Sequence, residues 1–330
     1  MSTARAYGSI LGVMALCALL PLATSSNTLL NGMVLTLLIA LAGCGWNLLG
    51  GYGGLFSFGH AAFFGTGAYA TAILQSRYGV NAWLAFAAAA AIGALVGWII
   101  GYLSFRSGLR GSYFALVTLA FAEVFRIIAN ASPFFGGAPG ILLKLDIRPA
   151  NFQFESRAVY YWIALALVGA AMLAMRAVER SRLGAYVVAI RENENAAKAL
   201  GVDTLAVKLK AIALSATITA AAGALYVQYF LLVNADLGFG TWISIEALVA
   251  PIIGGLGTVF GPLLGALVLH ELGELTRGIA GGLPGIDTAL FGALLILVIA
   301  FARDGIQGLI TRLIARLTRR PAAPAIEAVP

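Results

Sequence analysis

Long apolar runs, separated by short polar segments, set the pattern of this chain. Runs such as 82–103 and 206–232 match or exceed the roughly 20 apolar residues with which an α-helix crosses a bilayer. The sequence lacks the alternating segments of about ten residues that are typical of outer-membrane β-barrels. The pattern therefore predicts an all-α polytopic membrane protein with about ten transmembrane segments.

The predicted segments alternate across the membrane, and both termini are predicted to be cytoplasmic. We place the segments at 7–23, 32–49, 55–74, 82–103, 111–131, 159–177, 206–232, 243–253, 260–272 and 286–302. Two of them, 243–253 and 260–272, are short or interrupted. The first run follows a single basic residue, Arg5, and has the length of a signal peptide, but an uncleaved span closes the topology better.

The distribution of charge supports this orientation. With both termini in the cytoplasm, most of the 21 Lys and Arg residues lie on the cytoplasmic side, as the positive-inside rule requires. The net charge of +7 then reflects topology and contact with anionic membrane lipid, and we expect no nucleic-acid partner. Residues 1–305 form the predicted transmembrane permease domain, with a cytoplasmic loop at about 178–206. Residues 306–330 form a predicted basic cytoplasmic tail that is flexible at its end.

The polar stretch RENENAAKALGVD, residues 191–203, stands out in a chain that is 61% hydrophobic and only 11% charged. Glu194 precedes Lys198 by four residues, which is the favourable order on a helix. Asn193 is a suitable N-cap, and Gly201 suits the left-handed residue that ends a helix. One face carries small and apolar side chains, namely Ala196, Ala199 and Leu200. These residues alone fit a solvated connector as well as a surface that a soluble partner binds.

Segment 194–201, ENAAKALG, resembles the cytoplasmic coupling signature of ABC importer permeases, which reads E-A-A, three residues, then G. One residue is inserted here between the Glu and the Ala pair, a spacing similar to that of the branched-chain amino acid branch. Further segments between about residues 30 and 305 resemble the M-type permease subunit of that Liv-type family. They are GYGGLFSFGHAAFFGTGAYA at 51–70, GSYFALVTLAFAEVFR at 111–126 and GGLGTVFGPLLGA at 254–266. GGAPGI at 136–141 departs from the Gly-Gly-Pro run, followed by Gly-Ile, of the family.

The resemblance implies a subunit of the bacterial inner (plasma) membrane that translocates branched-chain or related apolar amino acids. Its implied partners are an H-type permease subunit, two cytoplasmic ABC ATPases and a periplasmic substrate-binding protein. The sequence contains no P-loop, so ATP hydrolysis falls to another chain, and we expect neither enzyme activity nor a cofactor here. The resemblance assigns ATPase coupling to Arg191, Glu192, Glu194, Ala196, Ala197, Lys198 and Gly201.

Two glycine clusters interrupt the predicted spans. Glycine lets backbones approach closely, and interrupted helices at membrane depth line protein or a water-filled cavity. For the first cluster, at residues 50–54, we favour helix packing and a hinge. For the second, at residues 254–261, we favour an interruption near the translocation path. The candidate path residues are Gly53, Gly54, Phe56, Ser57, His60, Phe63, Gly254, Gly255 and Gly257.

Few polar side chains lie within the predicted spans. His60 is best explained by a hydrogen bond to a neighbouring helix, since no acid or cysteine lies at metal-ligand spacing from it. Glu123 and Arg126, three residues apart, form a predicted structural ion pair. Cys17 and Cys44 are predicted to be small buried apolar residues and to form neither a disulfide nor a metal site. Polar lining or an interface is the interpretation of a further cluster, His270, Glu271 and Glu274.

Other functions fit parts of the sequence. The same importer scaffold could carry urea, short amides or aromatic acids. A stand-alone secondary transporter or channel would need several intramembrane acids, and only Glu123 is clearly central, because Glu246 and Glu271 lie on the short segments. An intramembrane enzyme would have His60 and Glu123 as candidates, but no set of nucleophile, base and orienting group is readable.

Overall fold

The computed structural model describes residues 3–23, 26–280 and 305–308, and the isolated positions 286, 289, 292, 293 and 296. Most of the predicted last span and most of the predicted tail lie outside the described residues. The described helices are α1 (Thr3–Ala18), α2 (Leu20–Ala23), α3 (Asn27–Trp46) with a π-helical turn at Asn47–Tyr52, α4 (His60–Tyr78), α5 (Ala82–Arg106), α6 (Ser112–Ala131), α7 (Arg157–Glu179), α8 (Arg182–Ala199), α9 (Thr204–Phe230), α10 (Ala235–Phe239), α11 (Thr241–Gly254) and α12 (Gly261–Ala280). Short 3-10 turns lie at Pro133–Phe135 and Pro149–Asn151. Two strands, β1 (Ile141–Leu142) and β2 (Leu232–Val233), pair antiparallel.

Within the described residues, 6 helical segments are long and apolar enough to cross a membrane. They are Asn27–Tyr52, Ala82–Arg106, Ser112–Ala131, Arg157–Glu179, Thr204–Phe230 and Ala235–Gly254. Tyr7–Ala23 is a shorter apolar helix. The prediction of an all-α polytopic membrane protein is therefore confirmed, while the count of ten spans and the side of the termini stay predictions.

The predicted third span begins later than the apolar pattern indicates. The chain runs without helix through residues 53–59, and α4 starts only at His60. Other helices supply hydrogen bonds to this segment: the Thr118 hydroxyl accepts from the Phe58 amide at 3.2 Å, and the Trp46 indole donates to a carbonyl of the segment at 2.7 Å. Since the segment is as apolar as the helix after it, hydropathy alone gives no sign of the break.

The two segments predicted to be short are longer in the structure. α10 and α11 form one apolar stretch of 20 residues, Ala235–Gly254, that is interrupted at Gly240. α12 continues to Ala280, beyond the predicted end at residue 272. Glu271 and Glu274 lower the hydropathy of this part of the chain, but they do not break the helix. The predicted break at the second glycine cluster is confirmed, because α11 ends at Gly254 and α12 begins at Gly261. The break at Gly240 was not predicted, and both predicted lengths were too short.

Small residues bring α9 into close contact with α4 and α5. A β-carbon built on Gly67 of α4 would lie 2.0 Å from the carbonyl oxygen of Ala220 in α9. On α5, a β-carbon on Gly97 would lie 2.4 Å from the Cβ atom of Ala216. α5 presents glycine to α9 on successive turns, at Gly93, Gly97 and Gly101. This spacing is the small-xxx-small pattern with which membrane helices pack backbone to backbone.

Segments that are predicted to be cytoplasmic meet at one end of the bundle. Arg191 Nη1 donates to the Gly51 carbonyl at 3.3 Å, and Arg110 pairs with Glu194 at 3.2 Å. At the other end, β1 and β2 join the loop after α6 to the end of α9. The loops are thus sorted as the predicted topology requires.

Candidate functional site

The cytoplasmic stretch folds into two helical pieces. α8 is broken at Asn193, whose φ of −159° and ψ of 103° lie outside the helical region. The Asn193 side chain accepts a hydrogen bond from the Ala196 amide at 3.0 Å and so caps a second, short helix. Gly201, at a φ of 83°, follows this helix in the left-handed conformation. The predicted cap and the predicted left-handed glycine are both confirmed, and residues 193–200 are called the capped helix below.

The capped helix turns most of its small residues to solvent. Ala196, Ala199 and Leu200 are exposed, and Leu200 is exposed to 86%. Ala197, by contrast, is only 4% exposed and faces the protein interior. Of the two alanines expected to take part in coupling, only Ala196 is therefore placed to touch another chain. The other exposed residues of the predicted coupling set are Arg191, Glu192, Lys198 and Gly201.

Glu194 links the capped helix to the membrane helices. Its side chain is 13% exposed and pairs with Lys208 of α9 at 2.8 Å, with Lys198 at 3.2 Å and with Arg110 at 3.2 Å. Burial alone would raise the pKa of Glu194, but hydrogen bonds from Lys208 and Lys198 and the charge of Arg110 outweigh it, so the pKa is lowered. The charged carboxylate thus holds α8, α9 and the loop before α6 in one network.

The two predicted glycine clusters lie against each other and against α8. Asn47, in the π-helical turn, accepts a hydrogen bond from the Gly257 amide at 2.8 Å. A β-carbon on Gly51 would lie 2.7 Å from the Gly257 nitrogen, and one on Gly54 would lie 2.7 Å from the Cγ atom of Arg191. Backbone contact between the clusters therefore requires glycine here, beside the first half of α8.

The candidate path residues divide by exposure. Phe56 is 41% exposed, and Phe58 beside it is 40% exposed, so the non-helical segment presents two aromatic rings on its surface. The remaining candidates lie inside: Gly53, Ser57, His60, Phe63, Gly254 and Gly255 are buried, and Gly54 and Gly257 are half-buried. In this conformation Phe56 is the candidate whose side chain another molecule reaches directly.

A chain of hydrogen bonds fixes His60 at the start of α4. Ser215 of α9 donates its hydroxyl to the Gly45 carbonyl at 2.6 Å, so it accepts from Nε2 of His60 at 3.0 Å. Nδ1 of His60 then accepts from the Ser57 hydroxyl at 3.2 Å. The predicted hydrogen bond from His60 to a neighbouring helix is confirmed, and through Ser215 it joins α4, α9 and α3.

Glu123 and Arg126 form part of a larger ionic group. Arg126 contacts Glu123 at 2.6 Å and Asp236 of α10 at 2.8 Å, which joins α6 to α10. The side chains of Arg126, Glu123 and Asp236 are 32%, 40% and 79% exposed. The group therefore ties the short helix α10 to α6.

The remaining predicted residues lie apart from these contacts. His270 packs on α3, where a β-carbon on Gly32 would lie 2.7 Å from its Nε2 atom, while Glu271 and Glu274 are exposed. Cys44 is buried, Cys17 is half-buried, and both are free thiols.

A family model described as "Branched-chain amino acid transport system / permease component" matches residues 28–299. The chain belongs to this family. It is a membrane permease subunit of an importer and a multi-pass inner-membrane protein, and it is not an enzyme. The capped helix, the glycine clusters and the non-helical segment 53–59 all fall within the matched residues.

Curated relatives of the permease carry matching descriptions. The high-affinity branched-chain amino acid transport system permease protein LivM of Escherichia coli K12 is 28% identical over 301 residues, which cover 84% of this chain and 70% of the relative. LivM of Salmonella typhimurium is 30% identical over 267 residues, 74% of this chain and 62% of the relative. LivH of the same Salmonella strain is 27% identical over 299 residues, 84% of this chain and 94% of the relative. The two LivM matches support the M-type assignment, and no solved structure matches the permease.

Sequence reasoning missed several residues that organise the permease. Lys208, whose side chain is 8% exposed, lies over the Phe105 ring at 5.4 Å in addition to pairing with Glu194. Asn47 and Asp236 likewise make the contacts described above. A cation or an amide inside an apolar run is a visible signal, but the partner of each lies far away in the sequence, and only the fold shows it.

Proposed function

We propose that the permease is the M-type half of an ATP-driven importer for branched-chain or related apolar amino acids. An H-type permease subunit would complete the membrane unit, two cytoplasmic ATPases would bind it from the inside, and a periplasmic binding protein would deliver the substrate. The relatives are described as high-affinity branched-chain amino acid transport permeases, which supports the substrate class. Ten spans with both termini in the cytoplasm remain the topology that we propose.

The observation that carries the proposal is the capped helix. Its exposed face is small and apolar, and Leu200 exposes 86% of its surface. An exposed apolar patch rimmed by charge is typical of a protein interface. Lys198 and Glu192 flank this face and are both exposed. We infer that the ATPases bind here.

Movement of the capped helix has a direct route into the membrane. Glu194 connects it to Lys208, which lies in the second turn of α9, and to Arg110 before α6. α9 in turn contacts α4 and α5 at backbone distance, so a tilt of α9 displaces both. ATP-driven closure of the ATPases would thus rock α9 and switch the side on which a cavity between the two permeases opens.

The non-helical segment 53–59 is the proposed element of the path. Its phenylalanines, Phe56 and Phe58, are exposed at the depth where α4 begins, and an apolar surface suits the side chain of an apolar amino acid. In the two adjoining glycine clusters the backbones lie in direct contact, with no side chain between them, which fits a hinge.

Reconstitution tests the proposal. Proteoliposomes with all subunits should take up radiolabelled leucine when ATP and the binding protein are present, and unlabelled isoleucine or valine should compete. Urea, acetamide and phenylalanine at equal concentration should compete weakly. The permease alone should show neither ATP hydrolysis nor uptake above empty vesicles. Uptake by the lone chain would instead support a secondary transporter, and competition by urea alone would overturn the substrate class.

A further inference from the structure

Glu246 is an acid in the middle of a membrane-spanning stretch that none of the contacts described above uses. It lies on α11, within the apolar segment Ala235–Gly254. Its side chain lines a cavity of about 50 Å³ between α3, α4, α9 and α11. A cavity of that size exceeds the roughly 10–15 Å³ that one water molecule needs. Glu246 therefore adjoins a small, almost wholly apolar cavity that has room for a small group.

The carboxyl group of Glu246 has no hydrogen-bond or ion-pair partner among the described residues. Glu123, an acid of another membrane-spanning helix, has a basic partner in Arg126. An acid at membrane depth is costly, and such residues usually serve a substrate or an ion. Within the part of the chain that the structure describes, no cation pairs with Glu246, and a cationic group would complete the site.

Aromatic rings form much of the cavity wall around Glu246. They belong to Phe64 at the start of α4, Tyr226 of α9 and Trp242 of α11. Phe64 and Tyr226 meet edge to face, with ring centroids 5.5 Å apart. Aromatic faces attract cations, and an acid beside several rings is the arrangement that recognises an ammonium group. Leu38 and the other wall residues are apolar, so the site lacks the oxygen ligands that a metal ion needs.

We propose that Glu246 and the rings of Phe64, Tyr226 and Trp242 bind the ammonium group of the amino acid as it crosses the membrane. The inference rests on the proposed function, since it supplies the substrate contact of that same path. Trp242, which lines the cavity, is 41% exposed, and α11 begins directly after the break at Gly240. The aliphatic side chain of the substrate would then lie along the apolar wall of the cavity, and the ammonium group would not be buried without a partner.

The test uses the complete importer in proteoliposomes, with [14C]leucine uptake and ATP hydrolysis measured on the same preparation. Glu246→Gln keeps the shape and removes the charge, and we expect uptake to fall at least 10-fold while ATP hydrolysis stimulated by the binding protein stays within twofold of wild type. Glu246→Asp keeps the charge and should retain more uptake than Glu246→Gln. Glu155→Gln, a change of an exposed acid in the loop after α6, is the matched control and should leave uptake unchanged.

Two results would overturn the inference while leaving the proposed function intact. One is uptake by Glu246→Gln within twofold of wild type. The other is a parallel loss of uptake, ATP hydrolysis and subunit assembly, which would make Glu246 a structural residue. Failure of the wild-type importer to take up leucine would overturn the proposed function, and the inference with it.

Discussion

At the scale of single residues, charged and polar side chains decide which elements of this permease move together. Glu194 is the clearest case, because one carboxylate with 13% of its surface exposed holds three basic groups from separate parts of the chain. The sequence predicts its pairing with Lys198, four residues away on the same helix. Its pairing with Lys208 and Arg110 depends on how α9 and the loop before α6 fold back, and no local pattern contains that information.

Glu194 should make the stability of the permease depend on pH. Its pKa is lower in the folded protein than its ordinary value of 4.5, so its contribution is complete above about pH 4.5 and is lost as the pH falls through the lower, folded value. We expect Glu194→Gln to reduce the free energy of unfolding at pH 7 by about 1–3 kcal/mol, because Lys208 loses its charged partner. Thermal unfolding in detergent between pH 3 and pH 7 should show a flatter pH dependence for the variant. An identical slope in wild type and variant would show that Glu194 does not titrate as proposed.

At the scale of elements, the helices follow the hydrophobic pattern and their breaks do not. The long runs predict α5, α6 and α7 nearly to their ends, since apolar length alone determines a span. The late start of α4 at His60 escapes the pattern, because Thr118 and Trp46 supply hydrogen bonds to the non-helical segment before it. The break at Gly240 escapes the pattern as well.

Backbone contact between α4 and α9 gives a direct test of helix packing. Gly67→Ala should lower the apparent melting temperature in detergent and reduce the yield of folded protein, because the new Cβ atom would lie 2.0 Å from the Ala220 carbonyl oxygen. Overpacking of this kind typically costs about 1–3 kcal/mol. Gly12→Ala on α1 is the matched control, since nothing lies within 4 Å of a β-carbon there. Equal melting temperatures for the two variants would mean that α4 and α9 are not packed at backbone distance.

At the scale of the whole molecule, the positive-inside rule and the fold agree on which loops share a side. The structure sorts the loops into two ends without any membrane, and the distribution of basic residues then predicts which end is cytoplasmic. The orientation itself stays a prediction, and it depends only on the basic residues of each loop. The meeting of the two glycine clusters could not be predicted, since it depends on three helices together.

Cysteine labelling in cells tests the predicted topology. Lys144→Cys and Asn195→Cys, in a background that lacks Cys17 and Cys44, place single thiols at exposed positions at opposite ends of the bundle. An impermeant maleimide added from the periplasm should label position 144 and leave position 195 unlabelled until the inner membrane is opened. Equal labelling of both sites from the periplasm would exclude the proposed orientation.

The central claim is that the capped helix couples the permease to its ATPases, and Ala196→Arg tests it most directly. Because Ala196 is exposed, the variant protein should insert at wild-type levels. A cationic side chain at a desolvated contact would cost several kcal/mol of binding free energy, so the ATPases should dissociate from the permease. Ala197→Arg should instead lower the amount of folded protein, because that residue is only 4% exposed. Ala185→Arg, an exposed position in the first half of α8, serves as the control.

The measurement is ATPase pull-down and leucine uptake at matched membrane levels. We expect ATPase pull-down and leucine uptake each to fall at least 10-fold in Ala196→Arg, and to stay at wild-type levels in Ala185→Arg. Normal pull-down and uptake in Ala196→Arg would contradict it and make the capped helix a solvated connector.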